Sequence, residues 1–180
     1  MKVGILYSGG KDSTLALLKA RKFYKVSCLI TIKPRRANSY LFHFPNLEVV
    51  KLQSRAMEIP LVWKESCGEK EKEVKDLERA IKEGVKKYEI EGIVTGAVRS
   101  VYQASRIQRV CKKLDLWCFN PLWLSDETEL IKEVIKNGIH AIITMVASYP
   151  LSKEFLGKRI DEDFLNDLLA IRKKFGISLV

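Results

Sequence analysis

The stretch Leu6-Tyr7-Ser8-Gly9-Gly10-Lys11-Asp12-Ser13-Thr14 decides the fold class of this 180-residue chain. An apolar run over residues 3–7 leads into its two glycines, and a helical pattern follows them. Adjacent glycines allow the backbone to turn sharply and to bring bare N–H groups against a phosphate. We therefore predict a strand, a phosphate-binding loop and a helix in succession, which is the start of a βαβ unit.

The side chains of this loop also suit a phosphate. Lys11 supplies a mobile point charge, either Ser13 or Thr14 can cap the following helix, and the positive end of that helix faces the anion. The spacing differs from the G-x-x-x-x-G-K-[ST] pattern of Walker A loops. The sequence thus predicts a nucleotide-binding loop of another class, and the alternative is an ordinary glycine turn.

Apolar and helical segments alternate along the rest of the chain. Strands are predicted at residues 3–7, 26–32, 61–64, 91–95 and 116–119, with helices at 13–22, 46–57, 69–89 and 100–114. This alternation predicts a Rossmann-like α/β fold, with a five-stranded parallel sheet and helices on both faces. Residues 1–122 would form this domain. Residues 123–180, with helices at 127–137 and 161–175 and a strand at 140–146, would form a small C-terminal α/β lobe.

Three polar segments follow predicted strands. They are the glycine loop, residues 33–43 and residues 96–100. Because ligands of open α/β sheets bind beyond the carboxyl ends of the strands, the three segments should meet at one rim. This convergence supports a nucleotide pocket independently of the loop itself.

The composition limits the partners. The net charge is +10, but lysines alternate with glutamates, as over residues 69–87, which is typical of ion-paired helix faces rather than of a nucleic-acid surface. Four scattered cysteines without C-x-x-C spacing and two histidines give no metal or cluster pattern. We expect no leader, no membrane partner, no nucleic-acid partner and a cytoplasmic location. The sequence leaves open whether the chain forms a homo-oligomer.

A series of motifs extends along the chain. These are SGGKDS at 8–13, NSYLFH at 38–43, IPLV at 59–62, GEKEKEV at 68–74, TGAV at 95–98, YQ at 102–103 with RI at 106–107, and PLW at 121–123 with Asp126. The series resembles the diphthine–ammonia ligase family of PP-loop ATP pyrophosphatases. The resemblance implies a HUP-type sheet, like that of the adenine nucleotide alpha hydrolases. It also implies that ATP adenylates the carboxylate of diphthine on translation elongation factor 2. Ammonia then displaces AMP to give diphthamide, and pyrophosphate leaves in the first step.

The resemblance also implies roles for individual residues. The β and γ phosphates would be held by Ser8, Gly9, Gly10, Lys11, Asp12 and Ser13, with Gly96 at the end of a strand. Lys11, Asp12 and Arg106 would be catalytic, and Asp12 would bind Mg²⁺ or orient Lys11. The substrate or the adenosine would contact Ser39, Tyr40, His43, Tyr102, Gln103, Trp123 and Asp126.

Plainer structural explanations stay open for five of these residues. They are an ordinary helix-start aspartate for Asp12, a half-buried histidine for His43, a turn glycine for Gly96, a surface salt bridge for Arg106 and hinge packing for Trp123. Two other functions also stay open. One is a PP-loop tRNA-modifying enzyme, either a thiolase or a lysidine-type synthetase, and the other is a non-catalytic adenine-nucleotide sensor.

Overall fold

The computed structural model describes residues 1–35, 47–67, 69, 71–146 and 149–176. Two compact units divide the chain, Met1–Trp123 and Leu124–Val180. Strands and helices alternate through the first unit, as the apolar pattern predicts. Their bounds are β1 Lys2–Leu6, α1 Lys11–Arg21, β2 Lys25–Pro34, α2 Val49–Ala56, β3 Leu61–Ser66, α3 Lys72–Tyr88, β4 Gly92–Thr95, α4 Val101–Lys113 and β5 Trp117–Phe119.

The described residues form one five-stranded sheet in the order β3-β2-β1-β4-β5, and every paired strand is parallel. Successive strands run outward from β1 in one direction as far as β3, and the chain then crosses back to β4. The strand order therefore reverses between β1 and β4. In an open α/β sheet this reversal is the switch point where a ligand binds. The predicted α/β fold with a parallel five-stranded sheet is confirmed.

Helices cover both faces of the sheet. One face packs against α3 and α4 in an apolar cluster that includes Ile30, Val62, Leu77 and Val110. Side chains alternate along a strand, so the neighbours of Ile30 in β2 point to the opposite face. There α1 and α2 return the chain, as right-handed crossovers require. Burial on both faces explains why β2 reads as a nearly continuous apolar run.

The second unit contains helices α5 Glu127–Lys136 and α6 Glu162–Phe175, with a short 3-10 turn at Lys153–Phe155. Its buried side chains come mainly from the two helices and include Leu130, Val134, Phe164 and Leu168. Asp161 caps α6 by accepting a hydrogen bond from the Phe164 N–H at 2.9 Å.

The strand predicted at residues 140–146 is wrong. Only an isolated antiparallel bridge between Ile142 and Arg159 forms there, flanked by the hydrogen bond from the Ile143 N–H to the Lys158 carbonyl. The apolar run is not covered on both faces, since Ile142 and Met145 are 60% and 62% exposed. Its apolar character therefore does not reflect a strand within a sheet.

None of the helices in the described part of the chain is long and apolar enough to cross a membrane. Within those same residues, no three His, Cys, Asp or Glu side chains gather in a way that could hold a metal ion.

Candidate functional site

The β1–α1 connection lies at the switch point and presents backbone donors. Helix α1 begins at Lys11, directly after Gly10, whose backbone is extended with φ −82° and ψ 169°. The first bond of the helix runs from the Thr14 N–H to the Gly10 carbonyl at 3.1 Å. Helix geometry leaves the N–H groups of residues 11–13 without an acceptor one turn back. Backbone N–H groups at a helix start are donors that suit an anion.

Hydroxyl groups on the first turn of α1 form hydrogen bonds with the backbone of the loop. Ser13 Oγ and Thr14 Oγ1 both donate to the Gly10 carbonyl, at 3.0 and 2.9 Å. The Ser8 N–H donates to Ser13 Oγ at 3.3 Å. The predicted capping role of Ser13 or Thr14 is therefore wrong, because the helix starts two residues earlier than expected. Gly10 occupies the N-cap position and provides no side-chain cap.

Lys11 and Asp12 lie on the first turn of α1 and pair with each other. Lys11 Nζ is 3.0 Å from Asp12 Oδ1 and 2.9 Å from Oδ2. Their side chains are 26% and 29% exposed, so the pair is partly open to a ligand. In this arrangement the Asp12 carboxylate anchors the Lys11 ammonium group to a residue of the first turn of α1.

Gly9 has a conformation and surroundings that only glycine suits. Its φ is +77°, and a Cβ atom there would lie 2.7 Å from Gln53 Oε1 and 2.9 Å from Val50 Cγ2. Gln53 Nε2 also donates to the Gly9 carbonyl at 3.3 Å. Helix α2 therefore packs directly on the loop. Sequence reasoning missed Gln53, and no motif around it marks this contact.

Gly96 marks a close approach between two segments of the site. A Cβ atom at Gly96 would lie 2.7 Å from the Ser13 nitrogen and 2.8 Å from the Asp12 carbonyl carbon. The backbone that comes close is thus the first turn of α1. The contact brings the β4–α4 connection against the phosphate loop, as expected for two neighbouring strands at the switch point.

Thr95 and Asn120 join the ends of β4 and β5. The buried Thr95 hydroxyl donates to Asn120 Oδ1 at 2.9 Å and accepts from the Ala97 N–H at 2.9 Å. This bond fixes the start of the segment that contains Gly96. Sequence reasoning missed Asn120, although its position directly after a predicted strand follows the same rule that identified the other rim segments.

Helix α4 carries the predicted Tyr102, Gln103 and Arg106 at the same end of the sheet. Ser100 caps the helix by accepting from the Gln103 N–H at 3.3 Å. The Arg106 guanidinium lies 3.6 Å from the centre of the Tyr102 ring. This stacking follows from their i,i+4 spacing, because helical side chains lean toward the N-terminus.

Glu71, just before α3, is the acidic partner of Arg106. Its Oε1 accepts from Arg106 Nε at 3.0 Å and also from Nη2. This hydrogen bonding raises the pKa of the Arg106 guanidinium further above its already high ordinary value. The salt bridge left open from the sequence does exist, and it joins two elements across the rim.

The other predicted substrate contacts belong to three parts of the sequence. Ser39, Tyr40 and His43 lie outside the described residues. Trp123 is half-buried at the end of the first unit. Asp126 belongs to the second unit, where its Oδ1 caps α5 by accepting from the N–H groups of Thr128 and Glu129 at 2.9 and 3.1 Å.

Comparison with known families identifies the family of this chain. Residues 1–117 match the family described as Diphthamide synthase N-terminal domain, and residues 126–180 match the Diphthamide synthase C-terminal domain. The chain belongs to the diphthamide synthase family. The resemblance inferred from the motifs is thereby confirmed.

Several relatives carry the name Diphthine--ammonia ligase. The Bos taurus protein is 31% identical over 197 residues, which are 98% of this chain and 73% of the relative. The Homo sapiens protein is 30% identical, with the same two coverages. The Schizosaccharomyces pombe protein is 30% identical over 98% of this chain but only 32% of its own length. The chain thus spans about a third of the fission yeast protein.

Among solved structures, a Methanocaldococcus jannaschii protein described as a predicted subunit of tRNA methyltransferase aligns over 99% of this chain and 89% of its own. The TM-score is 0.48 and the sequence identity is 18%. A likeness of this extent carries no functional information.

Proposed function

We propose that this chain is a diphthine–ammonia ligase. It would use ATP to activate the carboxylate of diphthine on translation elongation factor 2 and would convert that group with ammonia to the amide of diphthamide. The observation that carries the proposal is the SGGKDS loop at the switch point of a chain that both diphthamide synthase domains match. The name that the relatives carry, Diphthine--ammonia ligase, supports diphthine as the substrate.

The phosphate loop would hold the terminal phosphates of ATP. The N–H groups at the start of α1 would donate toward the anion, and Lys11 Nζ, which pairs with Asp12 of the same turn, would neutralise charge on the departing pyrophosphate. Preorganised groups of this kind act on charge that develops in the transition state, which is where they accelerate a reaction. With the β and γ phosphates held, the α phosphate would face the rim between Gly96 and Arg106.

The chemistry then follows in two steps. An oxygen of the diphthine carboxylate attacks the α phosphorus, the bond to the β phosphate oxygen breaks, and pyrophosphate leaves. The nitrogen of ammonia next attacks the acyl carbon, AMP leaves with the carboxyl oxygen, and the nitrogen loses a proton. Arg106 would stabilise negative charge on the acyl adenylate, with Tyr102 supporting the plane of its guanidinium. Ammonia is proposed as the nitrogen source because the sequence shows no glutaminase pattern.

Asp12 fits a role in holding Mg²⁺. The ion is commonly bound through one or two carboxylates together with substrate phosphates rather than by a cage of protein ligands. Asp12 is a single carboxylate beside the proposed phosphate site, and it is partly exposed. When bound, Mg²⁺ would neutralise phosphate charge.

The remaining substrate contacts are proposals of the same kind. Tyr102 and Gln103 lie on the first turn of α4, which follows the segment that contains Gly96, and this position suits contacts to the adenylate or to the diphthine side chain. Ser39, Tyr40, His43, Trp123 and Asp126 are proposed from the family motifs alone. The cytoplasmic location and the absence of a membrane partner also stay predictions.

The basic surface has an explanation that needs no nucleic acid. Glu78 pairs with Lys82 and Lys113, and Glu83 pairs with Lys64 and Lys87. These shared carboxylates support an ion-paired surface. Any binding of tRNA that depends on charge alone should fall steeply as the salt concentration rises. Specific tRNA binding that persists at physiological salt would instead favour the tRNA-modifying alternative.

Labelled ATP tests the proposal directly. The chain is incubated with ATP labelled at the α phosphate, ammonium and elongation factor 2 that carries diphthine. We expect label in AMP, formed only when the protein substrate is present, and the mass change of an amide on the factor. Label in ADP would contradict adenylation. Absence of the amide despite AMP formation would contradict the assignment of the substrate.

A further inference from the structure

Helix α2 touches the phosphate loop through one polar side chain. Gln53 Nε2 donates to the Gly9 carbonyl at 3.3 Å, and Gln53 Oε1 lies 2.7 Å from the position that a Cβ atom of Gly9 would occupy. Val50 Cγ2 closes the same space from the preceding turn of the helix, at 2.9 Å. The Gln53 amide is thus packed over Gly9, which alone among residue types leaves room for it.

The Gln53 oxygen is committed to this packing. It is a buried atom without a hydrogen-bond partner among the described residues. Leaving a buried acceptor unsatisfied is unfavourable. The same amide group donates its nitrogen to the Gly9 carbonyl, so this bond offsets part of the cost of the unpaired oxygen.

The geometry of the peptide unit shows what the bond from Gln53 fixes in the loop. The carbonyl of Gly9 and the N–H of Gly10 belong to one planar trans peptide, so they point in opposite directions. A carbonyl held toward α2 therefore aims the Gly10 N–H away from α2. Among the described residues, the bond that this N–H makes is a long one, 3.4 Å, to Ser8 Oγ. If the peptide rotated, its carbonyl oxygen would replace this donor and would repel an anion.

We propose that Gln53 is a positioning residue for the phosphate loop, holding the Gly9–Gly10 peptide in the orientation that presents the Gly10 N–H to the terminal phosphates of ATP. This inference rests on the proposed function. It concerns only the pyrophosphate half of the site. A loss of the Gln53 contact should therefore weaken binding of pyrophosphate and leave binding of AMP unchanged.

The test uses Gln53→Met, which keeps nearly the volume of the side chain and removes its donor. Calorimetry measures the dissociation constants of pyrophosphate and of AMP separately. We expect the constant for pyrophosphate to rise about tenfold, the equivalent of one ordinary hydrogen bond. The constant for AMP should stay within about twofold. Gln108→Met makes the same chemical change at an exposed position of α4 and should alter neither constant.

A second variant tests the same contact by a different chemical change. Gln53→Glu places a second acceptor against the Gly9 carbonyl and should weaken pyrophosphate binding further than Gln53→Met. Equal weakening of AMP and pyrophosphate in both variants would make Gln53 merely structural and overturn the inference. Unchanged pyrophosphate binding in folded variants would overturn it as well. If the wild-type chain binds neither ATP nor pyrophosphate, the proposed function itself fails, and the inference with it.

Discussion

Replacing Gly96 by alanine would place a methyl group against the first turn of α1. The new Cβ atom would lie 2.7 Å from the Ser13 nitrogen, 2.8 Å from the Asp12 carbonyl carbon and 3.0 Å from the Asp12 oxygen. All three neighbours are backbone atoms of a helix, which cannot rotate aside as a flexible side chain can. Ordinary contacts begin at 3.4 Å, so either the β4–α4 connection or α1 must shift by about 0.7 Å.

The size of the effect follows from that shift. Overpacking of a well-filled interior typically costs about 1–3 kcal/mol. For a unit of 123 residues, the melting temperature falls by about 4 °C for each kcal/mol. We therefore expect Gly96→Ala to melt about 4–12 °C below the wild type. The same shift moves the two segments of the proposed site apart, so ATP should also stabilise the variant less.

Thermal unfolding with and without ATP measures both effects. At an ATP concentration of 100 times its dissociation constant, a competent site gains about 2.7 kcal/mol. Gly10→Ala is a matched control for packing, because among the described residues a Cβ atom there would contact only Ser8 Oγ, at 3.5 Å. That variant should lose at most about 1 kcal/mol without ligand, because alanine is a poorer residue than glycine at the N-cap position. It should therefore melt at most about 4 °C below the wild type. A Gly96→Ala protein that melts within about 1 °C of the wild type would refute the steric reasoning.

Three further substitutions probe the proposed chemistry. Lys11→Ala should lower ATP turnover at least about 100-fold, as loss of one preorganised electrostatic group does. Its melting temperature should stay within about 2 °C of the wild type, because a partly exposed ion pair stabilises the fold little. Unchanged turnover would remove Lys11 from the mechanism. Arg106→Lys should lower turnover about tenfold although the positive charge is kept. Lysine has no planar group that could stack on Tyr102 or make two parallel hydrogen bonds to Glu71. Full activity would mean that the charge alone suffices. Asp12→Asn should raise the Mg²⁺ concentration needed for half-maximal turnover, whereas an unchanged requirement with a lower kcat would assign Asp12 to holding Lys11 alone.

The sheet was predictable because its signals are local. Each strand of the first unit is a short apolar run next to a helical pattern. The glycines of the loop that begins with Ser8 indicate where the switch point lies. Helix starts were less accurate. Sequence rules favour a hydroxyl side chain as cap, whereas α1 starts from Gly10, whose extended backbone suffices without a cap bond. The whole first turn of α1, including Lys11 and Asp12, thereby enters the proposed site as helix rather than as loop.

Contacts between distant segments were not predictable from any local pattern. Gln53 meets Gly9 across 44 residues, and Glu71 meets Arg106 across 35 residues. Each of these side chains lies on an ordinary amphipathic or charged stretch whose period reveals which face is buried but not which backbone atom it touches. Only the folded arrangement of α2 on the loop, and of α3 beside α4, brings these pairs together.

Both cations proposed to meet ATP already have acidic partners in the structure. Lys11 pairs with Asp12, and Arg106 pairs with Glu71. ATP would therefore bind by an exchange of ionic partners, and the net gain from each exchange is smaller than that from a free cation. Only interactions that are stronger in the transition state than in the bound substrate accelerate a reaction. The exchange takes place when ATP binds, so its cost lowers the affinity for ATP and for the transition state alike and leaves the rate of the chemical step unchanged. Any acceleration by Lys11 would therefore come from the charge that accumulates on the departing pyrophosphate after ATP has bound.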